Sequence, residues 1–340
     1  VQRLRGKQFA GCEELPDAVI RTTAAKAEKT RESIRYNYFS WKRWLAAQSM
    51  SAPAFPAEPA QIARYLQDYA PPILETRNGG FDVDAESVTS RGMAALSHAT
   101  LQRFLAVLAT IHREAGLEDP TKHPEVIAVW RVLRRGLRRP RQKARLDLEM
   151  IWSVVRALPS TVEGKRNRAL LLLAYAIMGR RSELVALNDN DLERHDDGSI
   201  TVRFSRIKTK SEAENHLPKA VAGILDDWLA ARPTGGPAIF VRLDRAGQGE
   251  RLDAGSVATI MRRAVRHAGS NLDADTLGSH SPRIGAAYDL ALEGVPDSAI
   301  MRDGGWKTQH MVVVYTRGAR AREGALASLI ARQSTRQVEE

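Results

Sequence analysis

Residues 278 to 287 read GSHSPRIGAA. His280 and Arg283 stand one helical turn apart at the mouth of an apolar run. Pro282 falls where a first-turn N–H has no intrahelical partner to lose, so the segment predicts a helix that begins by presenting an imidazole beside a guanidinium. A capped helix with a solvated arginine has the same pattern, so the stretch needs partners elsewhere. Toward the C-terminus, GGWKTQHMVVVYTRG (304–318) places Tyr315 at the end of a short helical run after Trp306. That tyrosine is a core aromatic or a nucleophile, and the valines before it read as packing. Toward the N-terminus, MGRRSELVAL (178–187) sets Arg180 and Glu183 on one face of a helix start, where a carboxylate can buttress a guanidinium or form an ordinary surface ion pair. Arg181 competes for the same role, and register with Glu183 favours Arg180. Between these segments, SITVRFSRIKTK and AENHLPKA alternate and are β-branched around Ser211, which predicts a hairpin or small sheet with Lys208 in its turn.

The N-terminal part reads as helical throughout. In TRESIRYNYFSWKRWLAAQ (30–48), Ile34, Tyr38, Trp41 and Leu45 fall on one helix face, with Arg35, Lys42 and Arg43 off it. Pro59 suits the first turn of the next helix, AQIARYLQDYA. Leu101, Leu105, Leu108 and Ile111 mark a further helix, and HPEVIAVWRVLRRGLRR another. At least four helices without a convincing strand are expected here. From 131 to 145 the chain runs RVLRRGLRRPRQKAR, all basic where charged, with Pro140 breaking the helix. Either a solvated helix end or a basic crossing between two domains fits, and the second suits a clamp on a phosphate backbone. The expected organisation is an arm over 1–25, a helical domain over 26–139, a basic linker over 140–146, and a mainly helical domain with a small sheet over 147–340. This last domain closes on a helix around REGALASLIARQ.

Composition narrows the function. A chain of 340 residues, 43% hydrophobic, can build two cores, and a net charge of +11 on a normally charged surface points to a polyanion such as nucleic acid. The longest apolar run, ALLLLAYAIMG from Ala169, is about half of the roughly 20 residues a membrane span needs and reads as a buried helix. The first residues carry no export-type apolar region, and the single cysteine, Cys12, excludes an internal disulfide and a thiolate cluster. A cytoplasmic protein is expected. Internal repeats, phosphate-binding glycine loops and zinc-ligand spacings are missing from the sequence.

The order of the motifs says more than any one of them: Arg-x-x-Glu, a hairpin lysine, His-x-x-Arg, Gly-Gly-Trp and then a tyrosine. This series resembles the tyrosine recombinase (phage integrase) family, and within it the Cre-type branch. HSPRIGAA matches that branch's HSARVGAA, the Trp-to-Tyr interval agrees, and FPAEP (55–59) recurs in its N-terminal domain. The resemblance covers nearly the whole chain. It implies a helical-bundle core-binding domain joined to a mixed α/β, mostly helical, catalytic domain. It implies that Tyr315 attacks the DNA backbone to give a 3′-phosphotyrosine, that Arg180 and Arg283 hold the non-bridging oxygens, and that Lys208 protonates the leaving 5′-hydroxyl. His280 and Trp306 would bond to the phosphate, Glu183 would support Arg180, and Gly304 and Gly305 would let Trp306 approach. No metal and no cofactor are implied. The partner would be double-stranded DNA with a specific target site, bound as monomer or dimer on half-sites and as a homotetramer in synapsis, in a bacterial, plasmid or phage setting.

Two departures qualify the likeness. The stretch from 71 to 95 looks longer than its counterpart and reads as an extended loop. The basic residues of SVATIMRRAVRHAG do not reproduce the branch's recognition residues, so its target sequence cannot be borrowed. Lys42, Arg43 and Arg103, with Arg138, Arg139 and Arg141 of the linker, are expected to contact phosphates rather than bases. The final helix could dock into a neighbouring protomer or pack in cis. A type IB topoisomerase and a catalytically silent DNA-binding protein are the competing readings; the first shares the phosphotyrosine chemistry.

Overall fold

A computed structural model describes residues 26–48, 54–69, 73–75, 81–83, 96–136, 143–206, 211–233, 235–244 and 248–323, with positions 17, 20, 24 and 330. Lys208, Arg138, Arg139, Arg141, nearly all of the expected arm and nearly all of the closing helix lie outside the described residues. The chain forms two compact units, Val1–Arg141 and Gln142–Glu340. Leu146, expected in the linker, is instead buried in the core of the second unit. Its N–H donates to Ser281 O (3.0 Å), and Ala144 N–H donates to Thr276 O (3.2 Å). These are backbone bonds, to which side-chain periodicity is blind.

In the first unit, helices α1 (Glu28–Ala47), α2 (Pro59–Tyr69), α3 (His98–Glu114) and α4 (Pro124–Gly136) surround an aromatic core. The expected face of α1 is buried from Ile34 to Leu45. Trp41 and Trp44 stack with ring centroids 5.3 Å apart, and Tyr65 stacks on Phe104 at 4.2 Å. Both indoles find partners, Trp41 Nε1 at Ala54 O (2.9 Å) and Trp44 Nε1 at Asp68 Oδ2 (2.8 Å), as buried N–H groups must. Pro59 opens α2 in the first-turn position expected of it.

The extended-loop reading of 71–95 needs correction. Strands β1 (Ile73–Glu75) and β2 (Phe81–Val83) pair antiparallel, Glu75 opposite Phe81. Three-residue strands are too short to show a period, and the usable signal was the Asn78–Gly79 pair between two short segments with two apolar residues each.

His112 joins α3 to the turn before α2. The residue is 1% exposed, its Nδ1 lies 2.8 Å from Leu108 O and its Nε2 lies 2.9 Å from Ala57 N. A carbonyl can only accept and a backbone N–H can only donate, so the ring is neutral with its proton on Nδ1. Burial holds its pKa below 6.5. The unfolded chain therefore binds the proton first as pH falls, and the stability this residue contributes, complete above about pH 6.5, is lost on acidification. Urea melts between pH 5 and 7.5 should show that loss. His112→Leu should lower stability by about 1–3 kcal/mol at pH 7.5, because Ala57 N–H is orphaned, and should flatten the acid slope. An unchanged slope would rule out the locked neutral ring.

The second unit is built around α6 (Val162–Ala176), whose leucines 170–173 are all buried, with α5 (Leu148–Ala157), the short α7 (Arg181–Ala186), α8 (Lys219–Ala231) and α9 (Val257–His267). No helix among the described residues is long and apolar enough to cross a membrane. The expected hairpin is present as β4 (Ile200–Arg206) against β5 (Ser211–Leu217), with β3 (Leu192–Arg194) on the other side of β4. Inward positions of β4 are Ile200, Val202, Phe204 and Arg206. A smaller core joins α10 (Ser281–Leu292), α11 (Asp297–Gly304) and α12 (Gln309–Thr316) through Ala287, Ala291, Ile300 and Val312.

Candidate active site

The site grows from the N-terminus of α10. His280 is its N-cap residue, Pro282 lies in the first turn, and Arg283 points inward, 3% exposed. The helix is pinned to the start of the second unit at several points: Leu146 N–H bonds Ser281 O, Leu148 N–H bonds Asp289 Oδ2 (2.9 Å), and Arg145 lies 4.0 Å over the ring of Tyr288. Gly285 makes this closeness possible, since a Cβ there would stand 2.1 Å from Leu146 O. That obstacle is backbone and cannot swing aside. Gly285→Ala should therefore lift α10, displace Arg283, and cost at least about 1–3 kcal/mol in a thermal melt. A fully stable variant would show that the segment is loosely seated.

Arg283 spends two donors on carbonyls, Nη1 to Met178 O and Nη2 to Gly304 O (2.5 Å). Met178 adopts φ +45°, a sparsely populated conformation for a side-chain-bearing residue, and it turns the chain between α6 and Arg180. Each Nη keeps a further N–H, so the anchored guanidinium can still receive an anion. Arg180 caps α7. Glu183, 1% exposed, takes Arg180 N–H on Oε2 (2.8 Å) and Arg180 Nη1 on Oε1 (2.8 Å). The register expected from the sequence is the one formed; Arg181 is exposed.

Trp306 lies beneath Arg283, whose Cζ is 4.2 Å from the indole centroid, and meets the Tyr315 ring edge-on at 5.7 Å. Gly305 ends α11 with φ +62°, the left-handed conformation that glycine adopts without a side-chain clash. The four last carbonyls of α11 are all satisfied: Trp306 N–H bonds Met301 O, Gly305 N–H bonds Arg302 O, Arg206 Nη2 bonds Asp303 O, and Arg283 bonds Gly304 O. Two guanidiniums thus cap the negative end of one helix. The sequence reading missed Arg206. It is 2% exposed with Nη1 4.0 Å from Glu183 Oε2, and the usable signal was alternation, which puts position 206 on the inward face with Ile200, Val202 and Phe204.

Electrostatics follow from this crowding. Burial, then Arg180 and Arg206, lower the Arg283 pKa to about 9, so it stays charged at neutral pH. Desolvation of its ring, then Arg283, Arg180 and Arg181, hold His280 below 6.5, so its imidazole is neutral near pH 7. Tyr315 is raised above 10 by burial, which outweighs the lowering by Arg283 and Arg180. A cationic cluster alone therefore does not ionise this phenol. An open groove of about 540 Å³ flanks Tyr315, lined in part by Lys143, Arg145 and Arg317. In the other unit, Arg43 on α1 and Arg103 on α3 are exposed and Lys42 is half-buried.

Residues 145–322 match the family model described as "Phage integrase family", which is over half of the chain. The chain belongs to that family. This tyrosine recombinase is a site-specific recombinase that breaks and rejoins DNA strands. The protein is 25% identical over 335 residues to recombinase cre of Escherichia phage P1, covering 92% of this chain and 90% of that one. Among solved structures, the recombinase is similar to the Tn1549 transposon integrase in complex with transposon right end DNA (TM-score 0.61, 15% identity, 94% and 97% of the two chains). It also resembles a lambda integrase tetramer bound to a Holliday junction (TM-score 0.58, 20% identity, 88% and 76%). At those identities the structures speak for the fold of the recombinase.

Proposed function

We propose that this recombinase cuts DNA at a specific, palindromic site through a 3′-phosphotyrosine and exchanges strands in two steps through a Holliday junction, as a homotetramer assembled from half-site-bound protomers. The observation that carries this is the convergence of Arg180, Glu183, Arg283, Trp306 and Tyr315 from distant segments into one linked cluster. Tyr315 Oη attacks phosphorus, the bond to O5′ breaks, and the phenolic proton passes to neutral His280. Lys208 protonates O5′, and Arg180 and Arg283 stabilise charge on the equatorial oxygens, with Trp306 as a further donor. Glu183 supports Arg180. A 5′-hydroxyl of another strand then attacks the phosphotyrosine, which has kept the phosphodiester's bond energy. The helical unit grips the duplex backbone, Lys42, Arg43 and Arg103 with Arg138, Arg139 and Arg141 meeting phosphates.

Selection of bound duplexes from a randomised library identifies the half-site. A plasmid carrying two copies then tests the reading: excision or inversion is expected, whereas a change in linking number alone would mean a topoisomerase-type activity. Because the His280 pKa lies below 6.5, its basic form is already dominant at neutrality. Single-turnover cleavage should rise with pH below about 6.5 and level off near 7. A rate still climbing toward pH 10 would mean that the tyrosine ionises without this base.

A further inference from the structure

We propose that Arg206 is a positioning residue for strand cleavage, holding Trp306 and Arg283 in place through the C-terminal carbonyls of α11. This rests on the reading above, in which those two side chains meet the scissile phosphate. Packing does not account for a guanidinium here. Arg206 ends the inward face of β4 after three apolar residues, where a further apolar side chain would fill the space without the cost of desolvating a charge. The charge meets one carbonyl acceptor and one carboxylate at ion-pair range. Nη2 donates to Asp303 O, and Nη1, with no hydrogen-bond partner among the described residues, faces Glu183 Oε2 at 4.0 Å.

The corner that follows is moulded on this side chain. A Cβ on Gly305 would lie 2.4 Å from Arg206 Cδ, and the next carbonyl after Asp303, that of Gly304, is the one Arg283 grips at 2.5 Å. A shift of the Asp303 peptide therefore reaches Arg283 through one peptide unit and Trp306 through three residues. Through Glu183, the same guanidinium faces the carboxylate that orients Arg180. Arg206 touches no reacting atom in this scheme; it fixes the groups that do.

The test uses full-length protein and a nicked duplex carrying the selected half-site, with either a phosphate or a methylphosphonate at the scissile position. Arg206→Met should slow covalent-complex formation on the phosphate about a hundredfold, the scale of a misplacement of about 1 Å, with half-site affinity unchanged. Arg206→Lys should recover part of the rate, since an ammonium keeps the charge and can reach either the carbonyl or the carboxylate. On the methylphosphonate, where less charge must be met by oriented cations, the Arg206→Met penalty should shrink. Equal penalties on both substrates, wild-type rates, or a loss of affinity matching the loss of rate would each overturn the proposal. Should Arg206→Met fail to fold, Arg206→Lys carries the same comparison, with a smaller penalty that must also shrink. Arg283→Ala is the companion: if its penalty does not shrink, the phosphate reading itself falls, whereas shrinkage for Arg283 alone overturns only the Arg206 inference.

Discussion

Tyr315→Phe should abolish the covalent protein–DNA adduct, a loss of at least about a thousandfold, while leaving half-site affinity unchanged. The substitution removes one oxygen from a half-buried ring and keeps the edge-on contact with Trp306, so the fold has little reason to change. What disappears is the oxygen that attacks phosphorus in the proposed mechanism. Burial keeps that hydroxyl protonated at neutral pH, so the proposed mechanism needs the phenol to lose its proton only once phosphate and base are both present. A nicked half-site duplex, whose released 5′ fragment diffuses away, traps the adduct of the wild-type protein and provides the assay. Adduct formation by Tyr315→Phe would place the nucleophile elsewhere; tight binding by the wild type without any adduct would support a silent binder.

How far the sequence could be read depends on which force placed each residue. Side chains that sit by periodicity were legible. The face from Ile34 to Leu45 and the β4 alternation needed only the helical and strand repeats, and the Arg180–Glu183 pair needed only the spacing of three. Placement by backbone hydrogen bonding was not. The strap from Ala144 to Leu146 is held by N–H and C=O groups that carry no residue signature, and the turn that offers the Met178 carbonyl to Arg283 is closed by the Met178 N–H on Tyr175 O. The valine run shows the middle case. An eight-residue helix buries one face, so Val312 is buried while Val313 is 45% exposed, and only part of the packing reading survives. Gly304 and Gly305 leave space that a side chain would fill. A Cβ on Gly304 would stand 2.0 Å from the Trp306 ring, so the pair makes room for the indole and for Arg206.

Arg206 escaped notice because a basic residue next to Ile-Lys-Thr-Lys reads as surface. Only the inward register distinguishes it, and the register shows its consequence when Glu183 is considered with it. One buried carboxylate faces Arg180 and Arg206 and lies close enough to Arg283 to affect its charge. Removing it should be the most damaging single change to stability in this unit. Glu183→Leu leaves guanidiniums desolvated and mutually repelling, a loss of about 3–5 kcal/mol. Glu183→Gln should be intermediate. Both carboxylate oxygens receive N–H donors, and an amide nitrogen cannot accept, so one of the two Arg180 bonds must break. Thermal melts in rising sulfate give a sharper check than stability alone. An uncompensated cationic cluster should bind the anion more tightly than the wild type does, so sulfate should raise the melting temperature of Glu183→Gln by more than it raises that of the parent. Equal increments would mean that the carboxylate does not set the charge of the cradle, and its role would then be confined to capping α7.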